Sequence, residues 1–196
     1  MSNYDTDEIM KQIEEDDRKM YEENMSELKE ILDKIDGGET TTENYFSAFG
    51  LYRLIGISEK HKFKQEIENY AHLTEKSAFK DIEKNINPAY AYYALSKISE
   101  YKKDKEVVMR YIDKAIELNP TESIYYATRG DYYKEMGKKD LADKDFDKAC
   151  ELEPEMANAI NILRDTKPVN IIKDIVLPII LIICFVIGYI FVKMKM

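Results

Sequence analysis

Two prolines, Pro120 and Pro154, close two mixed apolar and charged runs, and they lie 34 residues apart. A proline has no amide hydrogen to donate and its ring clashes with the preceding turn, so each marks the end of a helix. A fixed interval between helix ends indicates a repeated unit. Set one under the other, "AYAYYALSKISEYKKDKEVVMRYIDKAIELNP" (89–120) and "SIYYATRGDYYKEMGKKDLADKDFDKACELEP" (123–154) share one phase over their whole length. Tyr92 falls over Tyr126, Ser96 over Gly130, Ala115 over Ala149, and Pro120 over Pro154.

Within the second unit, Tyr126, Gly130 and Tyr133 stand at i, i+4 and i+7 and line one face of a first helix. Ala142, Phe146 and Ala149 do the same for a second helix. Small residues at Gly130, Ala142 and Ala149 let the two backbones approach, and the rings of Tyr126, Tyr133 and Phe146 fill the remaining space. Gly137 fits the left-handed turn that ends the first helix, and Pro154 ends the second. In the first unit Ser96 and Lys103 replace the glycines and Val108 replaces the first alanine. This pattern resembles the tetratricopeptide repeat, a helix-turn-helix unit of about 34 residues. Arg129 occupies a position where that family usually has leucine. The resemblance implies an all-α array of helical hairpins, an α-solenoid.

An array of two such units leaves faces that neither can bury alone, so flanking helices must complete the core. Upstream, residues 43–86 read as a degenerate helical repeat region. Phe46, Phe49, Gly50 and Leu54 are at helical spacing in its first half. Phe63, Ile67, Ala71, Ala78, Ile82 and Ile86 form a roughly continuous face in its second. Downstream, residues 155–167 start in repeat phase, with Ile160 and Leu163 in place, and read as a capping helix. With seven Gly and five Pro in 196 residues, long stretches lack punctuation and almost no strand is expected.

Residues 1–43 hold 15 Asp/Glu against 5 Lys/Arg, whereas the rest of the chain holds 23 against 24. The net charge of −9 therefore belongs to the N-terminal segment. Such a segment is repelled by nucleic-acid phosphates, so no nucleic-acid partner is expected. Residues 5–36 contain no Gly or Pro and end at Gly37-Gly38, which predicts one acidic amphipathic helix within 1–38. Tyr21, Met25, Leu28, Leu32 and Ile35 step by four, three, four and three, a coiled-coil rhythm lasting about two heptads. It predicts packing on the repeat domain, with self-pairing or the docking of a partner helix as the alternatives.

Ile175 to Val192, "IVLPIILIICFVIGYIFV", is 18 residues without a charged, amide or hydroxyl-aliphatic side chain. At about 1.5 Å per residue it reaches roughly 27 Å, close to the thickness of a bilayer's hydrocarbon core. It predicts a single C-terminal transmembrane helix, with the hydrophilic residues before it in the cytosol. Cys150 and Cys184 lie on opposite sides of that boundary, so no disulfide is expected.

Catalytic chemistry is not expected. His61 and His72 are 11 residues apart, out of register for a shared metal, and no cysteine cluster, phosphate loop or nucleophile motif is present. No cofactor is implied. The resemblance implies instead that the first helix of each repeat lines a peptide groove, with Tyr90, Tyr93, Lys97 and Glu100 in the first unit and Ile124, Ala127, Asp131 and Lys134 in the second. Family members that bind the acidic tails of heat-shock chaperones carry a basic and asparagine clamp at these places. Here Tyr93 and Ala127 replace its lysine-type contacts and Asp131 its asparagine, so that ligand is not implied. The expectation is a scaffold on the cytosolic face of a membrane that binds a protein or peptide partner. A structural homo-oligomer held by the N-terminal helix and the span is the alternative.

Overall fold

The computed structural model describes residues 6–58 and 63–165. Among them there are eight α-helices, one 3-10 turn and no strand. The helices are α1 (Thr6–Asp36), α2 (Thr42–Ser58), α3 (Lys64–Glu83), α4 (Pro88–Tyr101), α5 (Lys105–Leu118), α6 (Ser123–Glu135), α7 (Lys139–Leu152) and α8 (Ala157–Asp165); the 3-10 turn is Pro154–Met156. The architecture is an all-helical repeat array. No helix among the described residues is long and apolar enough to cross a membrane, and the apolar run 175–192 lies outside them, as do His61 and Cys184.

One device ends several of these helices. At Asn85 (φ 54°), Lys103 (φ 63°) and Gly137 (φ 71°) the chain enters the left-handed region. In each case two amides fold back: Lys103 N–H donates to the Glu100 carbonyl at 2.9 Å and Asp104 N–H to Ser99 at 3.0 Å, as Gly137 donates to Lys134 at 2.9 Å and Lys138 to Tyr133 at 2.8 Å. The two repeats thus make the same turn with glycine in one and lysine in the other. A β-carbon is strained there, so Lys103→Gly should stabilise the protein by about 0.5–1 kcal/mol, read as a raised urea midpoint at unchanged slope. The second helices end differently. Asn119 and Glu153, each preceding a proline, are extended at φ −141°.

The chain divides into two compact units at Tyr125 and Tyr126, within α6. In the first, neighbouring helices pack in chain order, α1 on α2, α2 on α3, α3 on α4 and α4 on α5. Leu28 of α1 is 3% exposed against Ala48, Leu51 and Ile55 of α2, flanked by Tyr21, Ile31, Leu32 and Ile35. Met25 is not part of that seam and is 36% exposed, although Tyr21 and Leu28 on either side of it pack on α2. Helix α2 buries Ala48, Phe49, Leu51 and Ile55, whereas Gly50 and Leu54, expected on its inner face, are exposed. It contacts α1, α3 and α4, so its burial follows several partners and not one stripe. Ile86 is likewise outside the core, since α3 ends at Glu83 and the left-handed Asn85 turns the chain away.

Pro88 starts α4 at a position where its missing donor costs nothing. Asp104 caps α5 by accepting from the Val107 amide at 3.3 Å. Behind them, Ile98 joins Phe49 and Ala71; Leu95 and Ala91 join Ala78; Ile112 and Ala115 join Ala89 and Tyr125. Ser96, standing where the second repeat has Gly130, is fully buried and turns its hydroxyl onto the Tyr93 carbonyl at 2.7 Å. Its polar atom is therefore satisfied within its own helix.

The second unit is built on Ala127, Ala142, Phe146, Ala149 and Ile160, with Tyr126, Tyr133, Cys150, Met156 and Leu163 packed around them. A β-carbon added to Gly130 would sit 2.8 Å from Phe146 Cδ1, closer than two atoms approach without something shifting, and a tight 3.2 Å from the Ala142 carbonyl oxygen. Arg129 lies 5.7 Å from the Tyr126 ring centroid and 5.8 Å from that of Tyr133. It grips the buried Asp145 carboxylate through two parallel bonds of 2.7 and 2.8 Å. Its flat stem and charged head thereby occupy an inner position where the repeat pattern usually has leucine.

Candidate functional site

In the first unit the phase of α4 is fixed by its buried residues Ala91, Ala94, Leu95 and Ile98, which leaves Tyr90 and Tyr93 half-buried on another face. Phe46 of α2 meets both rings edge-on, at 6.2 Å from Tyr90 and 5.8 Å from Tyr93 between centroids. Tyr90 and Tyr93 are 6.1 Å apart, and Tyr93 continues to Tyr125 at 5.2 Å. Phe46, Tyr90 and Tyr93 thus form one continuous half-buried aromatic surface on α2 and α4, and Tyr125 of α6, 3% exposed, backs it from within. Ile124 beside it is 36% exposed. Lys97 and Glu100, one turn further along α4, form an ion pair with each other, so neither stands as an isolated charge.

The phenols of Tyr90 and Tyr125 are held in the neutral form. Burial pushes Tyr125 from 10.0 up to about 12, with Glu122 and Tyr93 adding to the effect. Burial also raises Tyr90, with Glu43 and the neighbouring phenols adding to it. Tyr70 and Tyr52 are raised for the same first reason. A phenol that is neutral in the folded chain but ionises near 10 in the unfolded chain contributes stability that is complete below the unfolded value and lost as pH climbs towards the folded one. The urea midpoint should therefore hold to about pH 9.5 and fall between about pH 10 and 12, with tyrosinate absorbance in the native protein lagging that of the denatured chain.

The expected groove residues of the second unit fare differently. Ala127 is 4% exposed, packed among Ala142, Phe146, Ala149 and Ile160, so it offers no surface to a ligand. The Lys134 ammonium donates to the Leu163 carbonyl near the C-terminal end of α8, where a cation is favoured. Helix α8 thus lies over Ala127 and Lys134 and occupies the face that the repeat pattern would leave for a peptide. Asp131 is half-buried and lies between them in sequence. Within this unit, Arg164 of α8 reaches back to α7, 2.5 Å from the Asp147 carboxylate. Sequence spacing missed Phe46 as a surface member and Tyr125 as the buried ring behind it. Tyr125 lies between two positions assigned to the groove, and Phe46 carried only the signal of a core aromatic.

Residues 89–122 and 124–156 match the family model of the tetratricopeptide repeat. These two segments are tetratricopeptide repeats. A solved structure titled "Crystal structure of MamA" is similar to this chain at a TM-score of 0.41 and 19% identity, over 68% of this chain and 85% of that one. No curated protein matches the chain. Tetratricopeptide repeats imply a protein partner, and the first of the two contributes Tyr90 and Tyr93 to the aromatic surface. Among the described residues no group of three or more His, Cys, Asp or Glu side chains is placed to hold a metal ion.

Proposed function

We propose that this protein is a scaffold anchored in a membrane through residues 175–192, with its repeats on the cytosolic side, where they recruit a protein partner and catalyse no reaction. The observation that carries the reading is the half-exposed surface made by Phe46, Tyr90 and Tyr93, backed by the buried ring of Tyr125. Tyrosine gives large contact area for little lost conformational freedom, and such rings dominate binding energy at protein interfaces. The bilayer part rests on the 18-residue apolar run alone. The N-terminal helix supports no long coiled coil, because Leu28, Leu32 and Ile35 are already spent on α2. The test is a crosslinked pulldown from membranes with the intact chain and with Tyr90→Ala combined with Tyr93→Ala. The reading requires a partner that the double variant captures at least about tenfold less, as for the loss of a central hot spot. Equal capture would remove the aromatic surface from the interface.

A further inference from the structure

The aromatic surface of the first unit has an electrostatic character that narrows what it can hold. Each ring carries negative potential on its faces and positive potential on its edge, so a cation above a face is attracted. The ring planes of Tyr90 and Tyr93 stand at 81° and 82° to Phe46 and at 55° to each other, so the three rings cannot all turn their edges towards one ligand.

Two carboxylates border the rings. Glu43, in the first turn of α2, stands one turn before Phe46 and helps raise the Tyr90 phenol; Glu122, just before α6, accepts the Tyr125 amide on its carbonyl at 3.3 Å and helps raise that phenol. Neither has an ion-pair partner among the described residues. Lys34, whose charge is felt by Glu43, is bonded to Glu30 at 2.8 Å, and Lys97 is paired with Glu100. The face therefore has two carboxylates without an ion-pair partner beside its rings, and its own cation, Lys97, is already paired. An acidic peptide meets repulsion there; a lysine or arginine side chain gains from both rings and carboxylates.

We propose that this face of α2, α4 and the start of α6 is the seat of a lysine- or arginine-bearing segment of the partner protein. The proposal rests on the scaffold reading and names the chemistry of its partner. It also gives a physical reason for tyrosine at position 93, since a lysine there would place a like charge against the incoming side chain.

The experiment uses the full chain in detergent micelles and three fluorescent peptides identical except at alternate positions, which carry arginine, glutamine or glutamate. By fluorescence anisotropy the arginine peptide should bind about tenfold or more tightly than the glutamine peptide, and the glutamate peptide more weakly still. Raising sodium chloride from about 50 to 300 mM should weaken the arginine peptide and leave the glutamine peptide nearly unchanged. Glu43→Gln with Glu122→Gln, both at the rim and outside the core, should bring the arginine peptide close to the glutamine one. Because α1 is acidic, a second variant neutralises Glu14, Glu15, Asp16 and Asp17 by Gln and Asn, and it should bind like the intact chain. If the α1 variant loses the arginine preference while the Glu43/Glu122 variant retains it, the attraction is diffuse and the proposal is wrong. If all three peptides bind alike or none binds, the basic-partner proposal is wrong, while loss of pulldown in the Tyr90/Tyr93 variant would still uphold the scaffold.

Discussion

Gly130→Val is expected to destabilise the second unit by about 3 kcal/mol, a large fraction of what a small helical unit possesses. The first added carbon already falls 2.8 Å from Phe146 Cδ1 and 2.9 Å from Cε1, and 3.2 Å from a backbone oxygen of α7. The ring can swing only by leaving a cluster in which it is 1% exposed, and the backbone oxygen cannot swing at all. Valine adds two further methyl groups and a β-branch that helices disfavour. Gly50→Ala is the control. Nothing lies within 4 Å of an added β-carbon there, so the same kind of change should instead stabilise α2 by about 0.5–1 kcal/mol. Urea unfolding gives the totals, and amide hydrogen exchange in α6 and α7 should place the Gly130 loss in the second unit. Adding Phe146→Leu to Gly130→Val should recover part of the loss, a coupling that two independent defects would not show.

Phe49→Ala is the second large effect, at about 3–5 kcal/mol from the first unit. Phe49 is 1% exposed and holds α2, α3 and α4 together through Ala71 and Ile98. Its ring stacks on Phe46 at 6.2 Å, receives Tyr101 edge-on at 5.5 Å and lies 5.4 Å from the Arg53 guanidinium. Truncation removes all three at once and leaves a void that the rigid neighbours cannot fill. Phe49→Leu keeps most of the volume and should cost about 1–1.5 kcal/mol. Because Phe46 rests on Phe49 and faces Tyr90 and Tyr93, the alanine variant should also weaken partner capture under conditions where the chain remains folded.

What was legible in the sequence follows from how local the cause is. The hairpin of the second repeat could be read because each device sits within its own 34 residues: glycine against ring at Gly130 and Phe146, the left-handed turn at Gly137, the stop at Pro154. The first repeat makes the same turn with Lys103, where composition gives no sign of a left-handed residue and only the phase of the repeat points to it. The inner face of α2 was misplaced at Gly50 and Leu54 because that helix is contacted on several sides, and periodicity resolves a stripe only when one side is covered. The groove of the second repeat was misread for a tertiary reason. Ala127 and Lys134 occupy groove positions in the repeat pattern, yet α8 folds over them, and a nine-residue helix after a proline does not announce which face it will take. The aromatic surface joins Phe46 to residues 44 and 47 positions further along the chain, a juxtaposition that no local spacing encodes.

Vesicle flotation of the crosslinked chain and its partner tests the whole account in one gradient. The partner should rise with the vesicles when the intact chain is present, and stay at the bottom when residues 175–192 are deleted or when Tyr90 and Tyr93 are both alanine. An intact chain that remains in the dense fractions, or a partner that floats equally well with the double alanine variant, would contradict it.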